Sequence, residues 1–121
     1  MTAYALAHLY PQAPLHDDVF TYIERIQGTM DPFGGRFLVH ATDAEVMEGP
    51  FEGGYVLIEF PDIESARAWF ASDAYQAIVR MRTDNMAGTA VLLQGVPAGY
   101  DAAATGRAMR AAQEAAAAQA G

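Results

Sequence analysis

Residues 3–10, AYALAHLY, alternate strictly. Tyr4, Leu6, His8 and Tyr10 fall on one face and Ala3, Ala5, Ala7 and Leu9 on the other, which predicts a strand. Two prolines within PQAP (11–14) end it, because proline removes a backbone donor and fixes φ. From about 16 to 30 the period changes. Val19, Phe20, Ile23, Ile26, Gln27 and Met30 recur at helical spacing, and Asp17 and Asp18 stand in the first turn, where negative charge suits the helix dipole.

The segment DPFGG (31–35) closes that helix, and RFLVHAT (36–42) reads as a second strand, continued after a turn by EVMEG (45–49). Simple alternation puts Arg36, Leu38 and His40 on one face and Phe37 with Val39 on the other. YVLIEF (55–60) is a short, β-branched strand bounded by glycines and a proline, with Tyr55, Leu57 and Glu59 opposite Val56, Ile58 and Phe60. A helix follows from PDIESARAWF (61–70), with Asp62 as its N-cap. Ser72 or Asp73 caps a second helical piece whose Tyr75, Ile78, Val79, Arg82 and Met86 share a side, and GTAVLLQGV (88–96) is the last strand.

The predicted order is βαββαβ, a ferredoxin-like α+β fold in which two right-handed crossovers place the helical segments on one face of an antiparallel sheet. The other face is then bare. A second copy of the same sheet is the expected cover, giving a homodimer, a dimeric α/β barrel. Residues 1–97 form the domain. Residues 98–121 form an alanine-rich tail, helical or disordered, whose charges cancel.

Charge and composition then remove function classes. The 121 residues carry a net charge of −8, with no lysine and no cysteine. Nucleic acid and anionic membrane surfaces are not expected partners, since both need a basic patch. Schiff-base chemistry requires an amine, and thiolate catalysis, disulfides and thiolate metal sites require cysteine. The opening segment has no charged n-region and breaks at proline, and no run approaches a membrane span of about 18 apolar residues, so a cytoplasmic protein is expected.

The pieces Gly34-Gly35-Arg36-Phe37, Glu48-Gly49, Glu59-Phe60-Pro61, Ala68-Trp69 and Ser72 to Tyr75 resemble the bacterial domain-of-unknown-function family 1330. The resemblance covers about residues 3 to 96. That family is similar to the wider superfamily of dimeric α/β barrels, which includes cofactor-free antibiotic-biosynthesis monooxygenases, polyketide cyclases, muconolactone isomerase and haem-degrading enzymes. The resemblance therefore implies a fold and a cavity more than one reaction.

If Arg36, His8, His40 and Glu59 all face the barrel interior, the residue types fit acid–base chemistry. His40 or His8 serves as general acid or base, Glu59 orients it, and Arg36 anchors a carboxylate or enolate oxygen. Tyr4, Tyr55, Trp69, Tyr75 and Arg82 complete a candidate substrate wall, while Phe70 reads as core. Arg82 reads either as an inward salt-bridge partner or as a rim residue whose stem covers apolar surface. The competing reading of the cluster is structural, an Arg36–Glu59 ion pair with both histidines hydrogen-bonded around it. His8, His40 and Glu59 are also the types of a two-histidine, one-carboxylate metal site, although their spacing gives that no support. The sequence thus points to an enzyme without a bound cofactor or metal. It would act on a small aromatic or polyketide-like molecule by proton transfer (isomerase, cyclase or dehydratase type) or by cofactor-free oxygenation. The alternative is a non-catalytic ligand-binding or accessory homodimer.

Overall fold

A computed structural model describes residues 1–120. Strand β1 (Ala3–Tyr10) leads into helix α1 (Asp17–Met30), a 3-10 turn (Asp31–Phe33) and strand β2 (Arg36–Val39). Strand β3 (Gly54–Phe60) follows, then three short helices, α2 (Ile63–Ala71), α3 (Asp73–Gln76) and α4 (Val79–Thr83), before strand β4 (Ala87–Gln94) and helix α5 (Ala102–Ala120). The four strands form an antiparallel sheet in the order β2-β3-β1-β4, as the ferredoxin-like reading requires. No helix among the described residues is long and apolar enough to cross a membrane.

The pleat sorts the sheet into two faces. Ala3 and Ala5 on β1, Ile58 and Phe60 on β3 and Leu92 on β4 pack beneath the helices with Tyr22, Ile26 and Met30 of α1 and with Ala66 and Trp69 of α2. The small alanines of β1 let the helices approach. Phe60, Met30 and Val19 are the largest fully buried side chains. The opposite face carries Leu57, Val91 and Leu93, of which Val91 and Leu93 are exposed.

The helix ends follow local chemistry. His16 caps α1, its Nδ1 accepting from the Asp18 amide at 3.0 Å, and Asp62 caps α2, its Oδ1 accepting from the Ser65 amide at 2.7 Å. His16 thus has a structural task at an exposed position. The paired glycines before β2 serve packing and turning. Gly34 adopts a left-handed φ of 71°, and a Cβ on Gly35 would stand 2.6 Å from the Phe60 ring.

One part of the predicted layout differs. EVMEG is not a strand, and all residues from Ala41 to Pro50 are exposed. Ala41 takes a left-handed φ of 55°, which diverts the chain after His40 away from the sheet edge. The tail is helical over Ala102–Ala120, and none of its residues is buried.

The glycines give a paired stability test. Gly35→Ala should lower denaturant stability by about 1–3 kcal/mol, because the added methyl overpacks the Phe60 contact. Gly28→Ala, within α1 and with open space around it, should raise stability by up to about 1 kcal/mol. Equal effects at the two positions would contradict this packing.

Candidate functional site

The residues expected to form one polar cluster divide between the two faces of the sheet. The division originates in β2. Arg36 pairs with Glu59 and Phe37 with Ile58, but the next partner of β3, Leu57, is met by Val39, so Leu38 is the extra residue of a β-bulge. A bulge inverts alternation beyond it. Val39 joins the open face, and His40 turns to the helix side, where its ring lies 4.7 Å from that of Phe37. The expected grouping of His40 with Arg36 is therefore corrected, as is the placing of Val39 beneath the helices.

On the open face, Arg36 Nε donates to Glu59 Oε1 at 2.9 Å across the strand pair, with the Arg36 side chain 69% exposed. At that exposure the pair is worth only about 0–1 kcal/mol. Tyr4 stands opposite Glu59 on β1. His8 is held by its surroundings. Its Nε2 donates to the Glu52 carbonyl at 2.7 Å, the Tyr10 hydroxyl lies 3.4 Å from Nδ1, and the rings of Tyr55 and Phe51 flank it at 4.4 and 6.2 Å. This aromatic stack ties the loop before β3 to β1. His8 and Glu59 do not converge with His40, so the three cannot ligate one ion.

The helix side holds a cavity of about 320 Å³ between α1, α4 and the sheet. Its walls are mostly apolar, from Ala5, Ile26, Val56, Ile58 and Leu92 among others, with His40, Tyr22, Tyr75 and Arg82 as its polar members and Trp69 beside them. Ser72 makes this grouping possible. Its hydroxyl donates to the Trp69 carbonyl at 2.6 Å, closing α2, and accepts from the Tyr75 amide at 3.2 Å, opening α3. The resulting bend turns Trp69 and Tyr75 inward, with ring centroids 4.2 Å apart. Trp69 is fully within the core at 3% exposure, its Nε1 donating to Thr29 Oγ1 at 3.0 Å, and Thr29 in turn donates to the Ile26 carbonyl. Phe70, expected in the core, is 46% exposed and stands at the cavity's rim, one step round α2.

Tyr22 of α1 was not singled out by the sequence, yet it is central. Its hydroxyl shares a 2.9 Å hydrogen bond with that of Tyr75, and the Arg82 guanidinium lies over its ring, 5.6 Å from the centroid, within cation–π range. The only signal was its place on the helical face that also carries Val19, Ile26 and Met30. Arg82 is 8% exposed and is the one buried charged residue of the described chain. Neither expected role fits it. Among the described residues no carboxylate lies within 4 Å, and the side chain is not at a rim. Burial works against its charge, but interaction with the Tyr22 and Tyr75 hydroxyls outweighs that and holds the guanidinium above its ordinary pKa. Burial, reinforced by Tyr75, pushes the Tyr22 phenol well above its ordinary value of 10.0, so both partners keep their protons.

The family model for the domain of unknown function DUF1330 matches residues 2–96. The chain belongs to this family. No curated protein matches it. A protein of unknown function from Rhodopseudomonas palustris, in its methylated form, is 15% identical with a TM-score of 0.60, over 82% of this chain and 84% of that one. SnoaB, a cofactor-independent oxygenase from Streptomyces nogalater, is 13% identical with a TM-score of 0.50, over 83% and 96% of the two chains. An antibiotic biosynthesis monooxygenase is 16% identical with a TM-score of 0.50, over 80% and 100%. At these identities the likeness establishes the fold. This DUF1330 protein has a ferredoxin-like α+β fold.

The raised Tyr22 phenol has a consequence at alkaline pH. A group whose folded pKa exceeds its unfolded value contributes stability that is complete below the unfolded value and is lost as pH rises beyond it. Urea stability should fall from about pH 10 upward, and Tyr22→Phe should flatten that fall when the two proteins are compared at pH 9 and pH 11. An identical alkaline loss in the variant would contradict the burial of a protonated phenol.

Proposed function

We propose that this DUF1330 protein binds a small aromatic or polyketide-like molecule in the helix-side cavity and acts on it by proton transfer, with His40 as the acid–base group. The observation that carries this reading is the composition of the cavity: about 320 Å³ of mainly apolar wall with a few converging polar groups, the usual make-up of a small-molecule site. His40 is the imidazole among them, and the left-handed Ala41 beside it is the kind of local backbone strain that accompanies functional positions. His8, by contrast, has both ring nitrogens occupied by neighbours on the other face, and Arg36 and Glu59 neutralise one another there. These three, with Tyr4 and Tyr55, belong to the interface in this reading rather than to the chemistry. No bound cofactor is invoked.

Oxygenation is the second form the chemistry takes, with dioxygen as co-substrate, because SnoaB carries a cofactor-independent oxygenase activity on the same fold. Both forms begin with removal of a proton from the substrate. The test is a screen of aromatic ketones and hydroquinones, followed by absorbance and with an oxygen electrode. On any substrate found, His40→Ala should lower kcat by about 10²- to 10⁴-fold with Kd little changed, and His8→Ala should leave kcat within a few-fold. The reverse pattern would move the chemistry to the open face. Tight binding without turnover across the screen would favour a non-catalytic ligand carrier.

The open face supports a homodimer. Leu57 on β3 and Val91 and Leu93 on β4 share one face on either side of β1, and Val91 and Leu93 are exposed in the isolated chain. Two such faces packed together would bury them. Sedimentation should give twice the chain mass, and Val91→Asp should shift it to the monomer; a monomeric native protein would contradict the pairing.

A further inference from the structure

Arg82 is a guanidinium kept where, among the described residues, no carboxylate meets it. Burying an unpaired charge is costly, and an apolar residue of similar volume would fill the same space. Tyr22 and Tyr75 only partly satisfy it. A guanidinium has five N–H donors, whereas the two hydroxyls already spend one proton on each other and offer few remaining acceptor positions. Among the described residues no side-chain nitrogen or oxygen is both sealed from solvent and without a partner. Any Arg82 nitrogen that the phenols leave unpaired is therefore reachable from solvent, and Arg82 is one of the residues that line the cavity.

The phenol pair adds a donor of its own. One hydroxyl donates to the other, which leaves one O–H proton of the pair free to turn toward a ligand. A neutral O–H and a fixed cation side by side, in an otherwise apolar cavity, form a receptor for an oxyanion. Resting on the small-molecule reading above, we propose that the Arg82–Tyr22–Tyr75 corner is an anion subsite, and that the ligand is a planar aromatic monoanion whose carboxylate, phenolate or enolate oxygen is received there. A single charge is specified because Arg82 is the one arginine of the cavity, in a domain whose net charge is −8. A second anionic group would lack a partner. The aromatic plane is specified by Trp69, Phe37 and Phe70 in the walls, and the size by a cavity at the small end of the usual range of about 300–1,000 Å³, enough for one or two fused rings. Where the bound oxygen is instead a carbonyl, the corner stabilises the charge that develops on it as His40 takes the proton from the neighbouring carbon and the C–H electron pair forms the enolate monoanion, which joins the subsite to the work assigned to His40.

Isothermal titration calorimetry with 2-naphthoate and 2-naphthamide, which share a ring system and differ in charge, separates the two levels of the account. The expected result is naphthoate binding at least tenfold more tightly than naphthamide to the native protein. In Arg82→Gln, verified as folded by circular dichroism, the two should come within about twofold through weakening of naphthoate. Equal binding of the two ligands to the native protein would overturn the anion subsite while leaving the small-molecule cavity in place. Binding of neither would overturn both. A naphthoate preference that survives intact in Arg82→Gln would place the anion elsewhere. The comparison of the two ligands on the native protein stands even if the variant does not fold.

Discussion

A single four-stranded sheet has two faces, and in this chain the helices can cover only one. That constraint organises the rest of the molecule. The pleat sends Ala3, Ala5, Ile58 and Phe60 beneath the helices and Leu57, Val91 and Leu93 to the opposite side, so every strand residue is committed to either the intramolecular core or a surface in need of a partner. One departure from the pleat alters this division. The bulge at Leu38 reverses β2 after Phe37 and carries His40 across the sheet, from the face where an interface is expected to the face where there is a cavity.

The cavity exists because the second crossover is broken rather than continuous. A single long helix from Ile63 to Thr83 would present one stripe to the sheet. Ser72 instead ends one helix and begins another, and the bend brings Trp69 and Tyr75 into ring contact and leads on to α4, where Arg82 meets Tyr22. Hydrogen bonds fix each of these groups. Trp69 is held through Thr29 and Tyr75 through Tyr22, so the polar corner is built on the buried sides of three helices, α1, α3 and α4, and not on a loop. A corner held in this way is preorganised, the condition that lowers the cost of binding the ligand proposed above.

Much of the fold was legible in the chain. The alternation of 3–10 and 55–60, the helical spacing of 19–30 and the cap at Asp62 are local signals, and each corresponds to an observed element. The site was legible only in part. Trp69, Tyr75 and Arg82 were singled out, but their common setting depends on how α2, α3 and α4 fold back onto α1, which no local pattern encodes. Tyr22 was hidden among ordinary core residues for the same reason. His40 was assigned to the wrong face because a bulge is a pairing event between β2 and β3, and alternation in one strand does not report it. EVMEG has the look of a strand, but the left-handed turn at Ala41 takes it away from any edge with which it could pair. Phe70 is as apolar as Trp69, and a rotation of one residue about α2 puts it at the surface.

We propose that ligand binding and chemistry in this protein lie between its helices and its sheet, not on the sheet's open face. The most direct test is an amide and side-chain NMR shift map of the native protein with a saturating aromatic acid. Perturbations centred on Tyr22, His40, Trp69, Tyr75 and the Arg82 guanidinium, with Tyr4, His8, Arg36 and Glu59 unmoved, are the predicted result. Perturbations centred on the second group, with the first unmoved, would contradict the account.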